Sequence, residues 1–242
     1  MAMNDQLAVV TGASRGIGRA IAAAFAREGA TVACLGRDAM ALDETVSSIQ
    51  SEGGKAVAIV ADVTNPEELA DAYQQIRGVD RGLDVLVINA GVNLDKATVE
   101  ESDPDAWMKT IEVNLNGAYH CVRAALPYLK VRGGRIITLG SGTGHQARNS
   151  NSSYICSKAA LWAFTRVLAD ELRQYRISAN ELIPGPVRTD MTDNPADQAS
   201  VMSIESEWIK SPQDVAPLAV FLASCPPPGP SGQSFSLMRR TG

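Results

Sequence analysis

Short apolar runs rich in Val, Ile and Leu alternate along the chain with longer segments whose apolar positions recur every three or four residues. The first kind reads as buried strand and the second as amphipathic helix, and their regular alternation predicts an α/β fold built on a parallel sheet. Strands are expected over 7–11, 31–35, 56–61, 85–88, 135–139 and 177–183, and helices over 16–28, 39–51, 66–76, 104–129, 153–174 and 212–223. Three helix starts carry a capping side chain just ahead of a proline: Asn65 before Pro66, Asp103 before Pro104 and Ser211 before Pro212. Such a cap offers its oxygen to a free N–H of the first turn, where proline has no N–H to lose. Asp214 adds negative charge to the third of these turns, which the helix dipole favours. Two stretches break the alternation. Residues 184–210 open with two prolines around Gly185 and stay polar until Ile204, Trp208 and Ile209. They read as a loop with one short helix, either a substrate lid or an ordinary surface excursion. The run CPPPGP at 225–230 reads as an exposed connector.

Composition narrows the class. The 242 residues are 45% hydrophobic and 20% charged, enough for one domain whose core needs no covalent staple. Cys34, Cys121, Cys156 and Cys225 show no C-x-x-C spacing and have only two histidines to join them, so no metal site is expected. The formal charge is −5, from 22 basic and 27 acidic residues whose signs are interspersed, which argues against nucleic acid as a partner. No stretch approaches the ~20 apolar residues that cross a bilayer. With no export signal at the start and scattered thiols, a cytoplasmic location away from membranes is expected.

The first strand runs directly into Gly12-Ala13-Ser14-Arg15-Gly16-Ile17-Gly18 and then an alanine-rich helix. Gly12 permits the tight turn, Gly16 lets backbone approach a ligand, and Gly18 lets helix and strand pack closely. The helix start offers N–H donors to a pyrophosphate. About 25 residues beyond Gly12, where an acid would accept the ribose hydroxyls of NAD, stand Gly36 and Arg37. Arg37, helped by Arg15, suits a 2′-phosphate through charge-assisted hydrogen bonds, so NADP(H) is predicted over NAD(H). A solvated charge opening a helix is the plainer reading of Arg37.

Tyr154 and Lys158, four residues apart, share one face of the helix predicted over 153–174. A nearby ammonium favours phenolate and brings the tyrosine toward acid/base range, although such a pair alone is more often a surface contact. In company with other motifs the sequence resembles the short-chain dehydrogenase/reductase family over nearly its whole length. Thr11 to Gly18 resembles the family's cofactor loop, and Asp62-Val63 matches the residues beside adenine. Asn89-Ala90-Gly91 matches the N-A-G motif, and Asn114 the structural and catalytic asparagine. Ser141 precedes Tyr154 by the usual interval. Pro184-Gly185, then Val187 and Thr189, match the segment that closes over nicotinamide.

The resemblance implies a single Rossmann domain over 1–242, a doubly wound parallel sheet of about seven strands with helices on both faces. It also implies hydride transfer between nicotinamide and a carbonyl or secondary alcohol. Tyr154 would supply the proton, Ser141 would hold the carbonyl oxygen, Lys158 would hold the ribose, and Asn114 would anchor a relay water. Taken singly, Asn114 also suits a helix kink and Ser141 a strand end. Cys156 is expected as a small packing residue, and His145 either lines the pocket or is solvated.

The substrate expected from the resemblance is a small or carrier-bound carbonyl compound. The 3-oxoacyl-acyl-carrier-protein reductases are the most similar group, with Arg132, Arg173 and Arg176 either docking an acidic carrier or forming a solvated cluster. The polar run 145–151 instead favours a sugar, polyol or secondary alcohol, and a nucleotide-sensing protein without catalysis is a third reading. A homotetramer, or else a dimer, is implied, although the family's C-terminal glycine pair is missing after Ser231-Gly232-Gln233 and the predicted last strand, 234–238. Glu181, in an apolar strand, lacks an evident partner in the sequence.

Overall fold

All seven strands join one parallel sheet in the computed structural model, which describes residues 1–76, 78–146, 150–192, 208–226 and 229–238. They are β1 (Leu7–Thr11), β2 (Thr31–Gly36), β3 (Lys55–Val60), β4 (Val85–Ile88), β5 (Gly134–Leu139), β6 (Ile177–Ile183) and β7 (Ser234–Ser236). Their spatial order is β3-β2-β1-β4-β5-β6-β7, so the winding direction reverses between β1 and β4.

Alternate residues of the strands feed two apolar layers. Leu7, Val9, Leu86 and Ile136 face α3 (Pro66–Gln75), α5 (Gly117–Leu129) and α6 (Ser152–Glu171). Ala8, Val10, Val87 and Ile137 face α1 (Gly16–Arg27), α2 (Ala39–Ser51) and α7 (Ala216–Ser224). Helices thus cover both faces, as a parallel sheet buried on both sides requires. Asn65 accepts from the N–H groups of Glu67 and Glu68, and Asp103 from that of Asp105, as expected of caps. At Ser211, the N-cap of the third predicted start, a capping box with Asp214 forms, the Ser211 amide and hydroxyl donating to the Asp214 carboxylate at 2.7 and 2.6 Å.

The helix expected over 104–129 is not continuous. It divides into α4 (Pro104–Ile111), a π-helical turn Glu112–Asn116, and α5. A π turn adds a residue without ending the helix, so apolar spacing runs through it unmarked. Residues 212–223 likewise begin as a 3-10 turn, Pro212–Asp214, before α7. Only Ser234–Ser236 of the predicted last strand pairs with β6. In the irregular segment after β6, the described residues include a 3-10 turn, Asp190–Thr192, while 193–207, where the rest of the expected loop and short helix falls, lie outside the described residues.

Candidate active site

Beyond Thr11 and Ile88 the connections leave β1 and β4 for opposite faces of the sheet, and a cleft of about 990 Å³ opens at the carboxyl ends of the strands. This is where an open α/β sheet receives ligands. The two strand ends are knotted together by side chains. The Thr11 hydroxyl accepts from the N–H groups of Asn89 and Ala90, both at 3.0 Å, and the Asn89 carboxamide donates to the carbonyls of Thr11 and Gly12. The knot brings Asn89-Ala90-Gly91 against the glycine loop.

Gly12 and Gly16 both have positive φ, +65° and +55°, which only glycine adopts without strain. A Cβ at Gly12 would press on Asn89 and Ala90, whereas one at Gly16 would meet only the Thr189 methyl at 3.5 Å. Arg15, at the N-cap of α1, makes no capping hydrogen bond with its side chain, leaving first-turn N–H donors for an anion in the cleft. The residues present therefore fit a dinucleotide pyrophosphate.

The wall of the cleft unites Gly12, Ser14, Arg15, Gly16, Ile17, Arg37, Asp62, Val63, Asn89, Ala90, Gly91, Tyr154, Lys158, Pro184 and Thr189. Gly18, Asn114, Ser141, Gly185 and Val187 are not part of that lining. Gly18 abuts Gly12, and Val187 is a buried core residue. At Gly185, with φ +70°, a Cβ would meet Met238 and Lys210. Arg37 lies 3.5 Å from Asp62, whose other oxygen accepts from the amide and hydroxyl of Thr64. Burial alone would raise the Asp62 carboxyl, but the Thr64 bonds and the Arg37 charge hold it below its ordinary value. Asp38, next to Arg37, also lines the cleft and accepts from the Ala41 N–H at the start of α2.

Arg15 does not simply support Arg37. It pairs at 3.2 Å with Asp190 across the mouth of the cleft, an exposed and therefore weak bridge. Arg19, which the sequence reading missed, also lines the cleft and donates to the Ser14 carbonyl, fixing the glycine loop from behind. Its signal was a cation in the first turn of a helix, where the dipole disfavours it unless it serves another contact.

Tyr154 and Lys158 stand together on α6, and the Lys158 ammonium lies 5.6 Å from the Tyr154 ring centre. Lys158 is buried and donates to the Leu139 carbonyl at 2.7 Å. Burial pushes it down to about 8, against the opposing pull of the Glu181 charge. Tyr154 departs from expectation: burial raises it above its ordinary value, and only the Ser141 hydroxyl pulls it down. It stays a phenol that can donate.

Asn114 sits in the π turn, buried, with its oxygen on the Val92 N–H and its amide donating to the Val92 carbonyl and the Ser157 hydroxyl. Both carboxamide N–H bonds are thus engaged, one with the loop after β4 and one with α6. A Cβ at Gly91 would come within 3.2 Å of Asn114 and 3.7 Å of Lys158, so these three residues meet.

Cys156 is exposed and not packed, whereas burial pushes the Cys34 and Cys121 thiols up to about 12. His145 is neither a free loop residue nor part of the cleft wall. Its ring meets Trp162 edge-on at 5.2 Å, and its Nε2 lies 2.9 Å from Glu181, which supplies the carboxylate's missing partner. The basic residues Arg132, Arg173 and Arg176 lie where α5 and α6 feed β5 and β6, at the amino ends of the strands and opposite the cleft. Arg132 is bonded to Asp84 at 2.7 Å and Arg173 to Asp170 at 2.6 Å. Of the polar run after Ser141, residues 147–149 lie outside the described residues, as do Arg239 and Arg240.

The short chain dehydrogenase family matches over residues 6–200. A 3-oxoacyl-[acyl-carrier-protein] reductase of Synechocystis sp. is 34% identical over 239 residues, covering 98% of this chain and 96% of that protein. Among solved structures, a putative gluconate dehydrogenase from Agrobacterium tumefaciens superposes with a TM-score of 0.88 at 32% identity, covering 98% of this chain and 95% of that one. A Brucella melitensis 3-oxoacyl-[acyl-carrier protein] reductase with bound NAD gives 0.87 at 30% identity, over 98% of this chain and 90% of that one. With this fold and these relatives, the protein is an oxidoreductase of the nicotinamide-dependent class. It belongs to the short-chain dehydrogenase/reductase family. Among the described residues, no helix is long and apolar enough to cross a membrane.

Proposed function

We propose that the protein is an NADP(H)-dependent carbonyl reductase whose substrate is a 3-oxoacyl thioester. The observation that carries the chemistry is the pairing of Tyr154 and Lys158 in the wall of a dinucleotide cleft, with the Ser141 hydroxyl beside Tyr154. Bound nicotinamide supplies the hydride. Tyr154, held as a phenol by burial, gives its proton to the substrate oxygen, and Ser141 donates a hydrogen bond to the same oxygen as charge develops there. Lys158 holds the ribose and places a positive charge near Tyr154. Asn114 keeps the loop after β4 in place beside Lys158.

Preference for NADP(H) is supported by the absence of an acid at Gly36 and by Arg37 in the cleft wall. Its bridge to the part-buried Asp62 is long, at 3.5 Å, and exposed at the arginine end, weak enough for a 2′-phosphate to displace. Arg37→Ala is expected to weaken NADPH about tenfold to a hundredfold, the worth of a charge-assisted contact, with little effect on NADH. Fluorescence titration with both cofactors checks this, and equal weakening of the two would refute the assignment.

The substrate class is tested by NADPH oxidation with acetoacetyl-CoA. A sugar or secondary alcohol is the second reading, favoured by the placement of Arg132, Arg173 and Arg176 opposite the cleft. A carrier docked there would serve a neighbouring subunit. We take the working form to be a homo-oligomer, with Phe221 of α7, 54% exposed and edge-on to Phe235 of β7, as part of a contact surface. Lys158 also fixes the pH response. It is an ammonium below about 8 and neutral above it, so kcat/KM for reduction should fall as pH rises through that value. A profile flat to pH 10 would remove Lys158 from the role given to it.

A further inference from the structure

Glu181 is a carboxylate where an apolar strand residue would serve packing better, and it is 1% exposed. It lies on β6 in register with Thr138 of β5 and Ser234 of β7, so its side chain rises into the layer between the sheet and α6. Ser234 donates to it at 2.5 Å, and His145 Nε2 reaches both of its oxygens, at 2.9 and 3.2 Å. Glycine at 140 is what admits it, since a Cβ there would fall on the carboxylate. A charge so deeply buried is costly unless it is held like this, and its retention calls for a reason beyond packing.

His145 closes the 3-10 turn Gly142–His145, and Ser141 is that turn's N-cap, with its hydroxyl accepting from the Thr143 N–H at 3.3 Å. The middle of the turn leans on α6. A Cβ at Gly144 would come within 3.0 Å of the Lys158 Cβ and 2.9 Å of its carbonyl carbon. Trp162, one helical turn beyond Lys158, supports the His145 ring. The turn bearing Ser141 is therefore gripped at its far end by Glu181 and pressed along its length onto the residue that carries the ammonium.

We propose, on the roles given above to Ser141, Tyr154 and Lys158, that Glu181 is a positioning residue for the reaction, clamping the Ser141 turn through His145 and placing a buried negative charge behind Lys158. The ionisable groups around Glu181 are His145 from the turn and Lys158 from α6, with Arg166 beyond the Trp162 ring. β5 presents the neutral Thr138 and Gly140, and β7 the neutral Ser234. Around Lys158 stand Tyr154 on its own helix and the neutral Asn114 and Gly91, and its ammonium bonds the Leu139 carbonyl, one residue before the Gly140 against which the Glu181 carboxylate packs.

Glu181→Gln keeps the shape and removes the charge. Its expected signature is an alkaline limb of kcat/KM displaced downward by at least about half a pH unit, the direction set by loss of a charge that favours the ammonium. NADPH affinity, which needs no turnover, should show the same displacement. A limb that stays in place, even in a slower enzyme, would overturn the charge role. His145→Gln tests the clamp and decides the matter if the first variant does not fold. It should lower kcat about tenfold with KM for NADPH within about twofold, as expected when a group acting only in the transition state is misplaced. Unchanged kcat would overturn the clamp. Tyr154→Phe is run alongside: if it stays active, the underlying assignment fails, whereas an inactive Tyr154→Phe with an unmoved limb in Glu181→Gln sinks only the inference about Glu181.

Discussion

Turnover of Tyr154→Phe is expected to fall by roughly a hundredfold to ten-thousandfold, the usual contribution of a positioned general acid. The ring stays, so the packing of α6 and the walls of the cleft are kept, and NADPH should bind within a few-fold of wild type. What disappears is the O–H that burial holds protonated and the Ser141 hydroxyl contacts. Initial rates of NADPH oxidation, set beside a fluorescence titration of NADPH, separate the two effects. Equal turnover in variant and wild type would mean that the proton comes from elsewhere.

A single methyl group at Gly18 should instead damage cofactor binding. Gly18 is buried in the first turn of α1, and a Cβ there would overlap the Gly12 carbonyl and lie 2.5 Å from the Asn89 carboxamide nitrogen. Both neighbours belong to the knot that joins β1 to β4, so neither moves without breaking the bonds from Asn89 to Thr11 and Gly12. Overpacking of this kind costs about 1–3 kcal/mol. For a chain of this size that is a fall in Tm of roughly 2–12 °C. Gly18→Ala should therefore fold, melt earlier and fail to saturate with NADPH at concentrations that saturate wild type. Unaltered NADPH affinity would show that the loop has slack that the packing does not suggest.

Most of the sheet was legible because its central strands are buried on both faces and read as largely apolar runs, with the bounds of β1, β4 and β6 met to the residue. The glycine loop was legible too, since Gly12 and Gly16 hold conformations that other residues avoid. The π turn was hidden for the opposite reason: it changes the phase of a helix without changing which residue types suit it. Pairings across long sequence separations were equally invisible. Nothing local to Glu181 points to His145, 36 residues earlier, or to Ser234, 53 residues later. The Arg15 bridge to Asp190 spans 175 residues. The upward direction at Tyr154 followed from how deeply α6 seats its first turn, which no spacing of residues conveys.

The glycine before Ser141 carries a consequence for how such chains diverge. Room for the Glu181 carboxylate exists only because position 140 lacks a side chain. A lineage that acquires any larger residue at 140 must give up the acid at 181, and one that keeps the acid must keep the glycine. The two sites, 41 positions apart, should therefore vary as a pair among relatives, with His145 following the acid. An aligned set of sequences sorted by residue 140 would divide the family into branches with and without this buried charge, before any of them had been assayed.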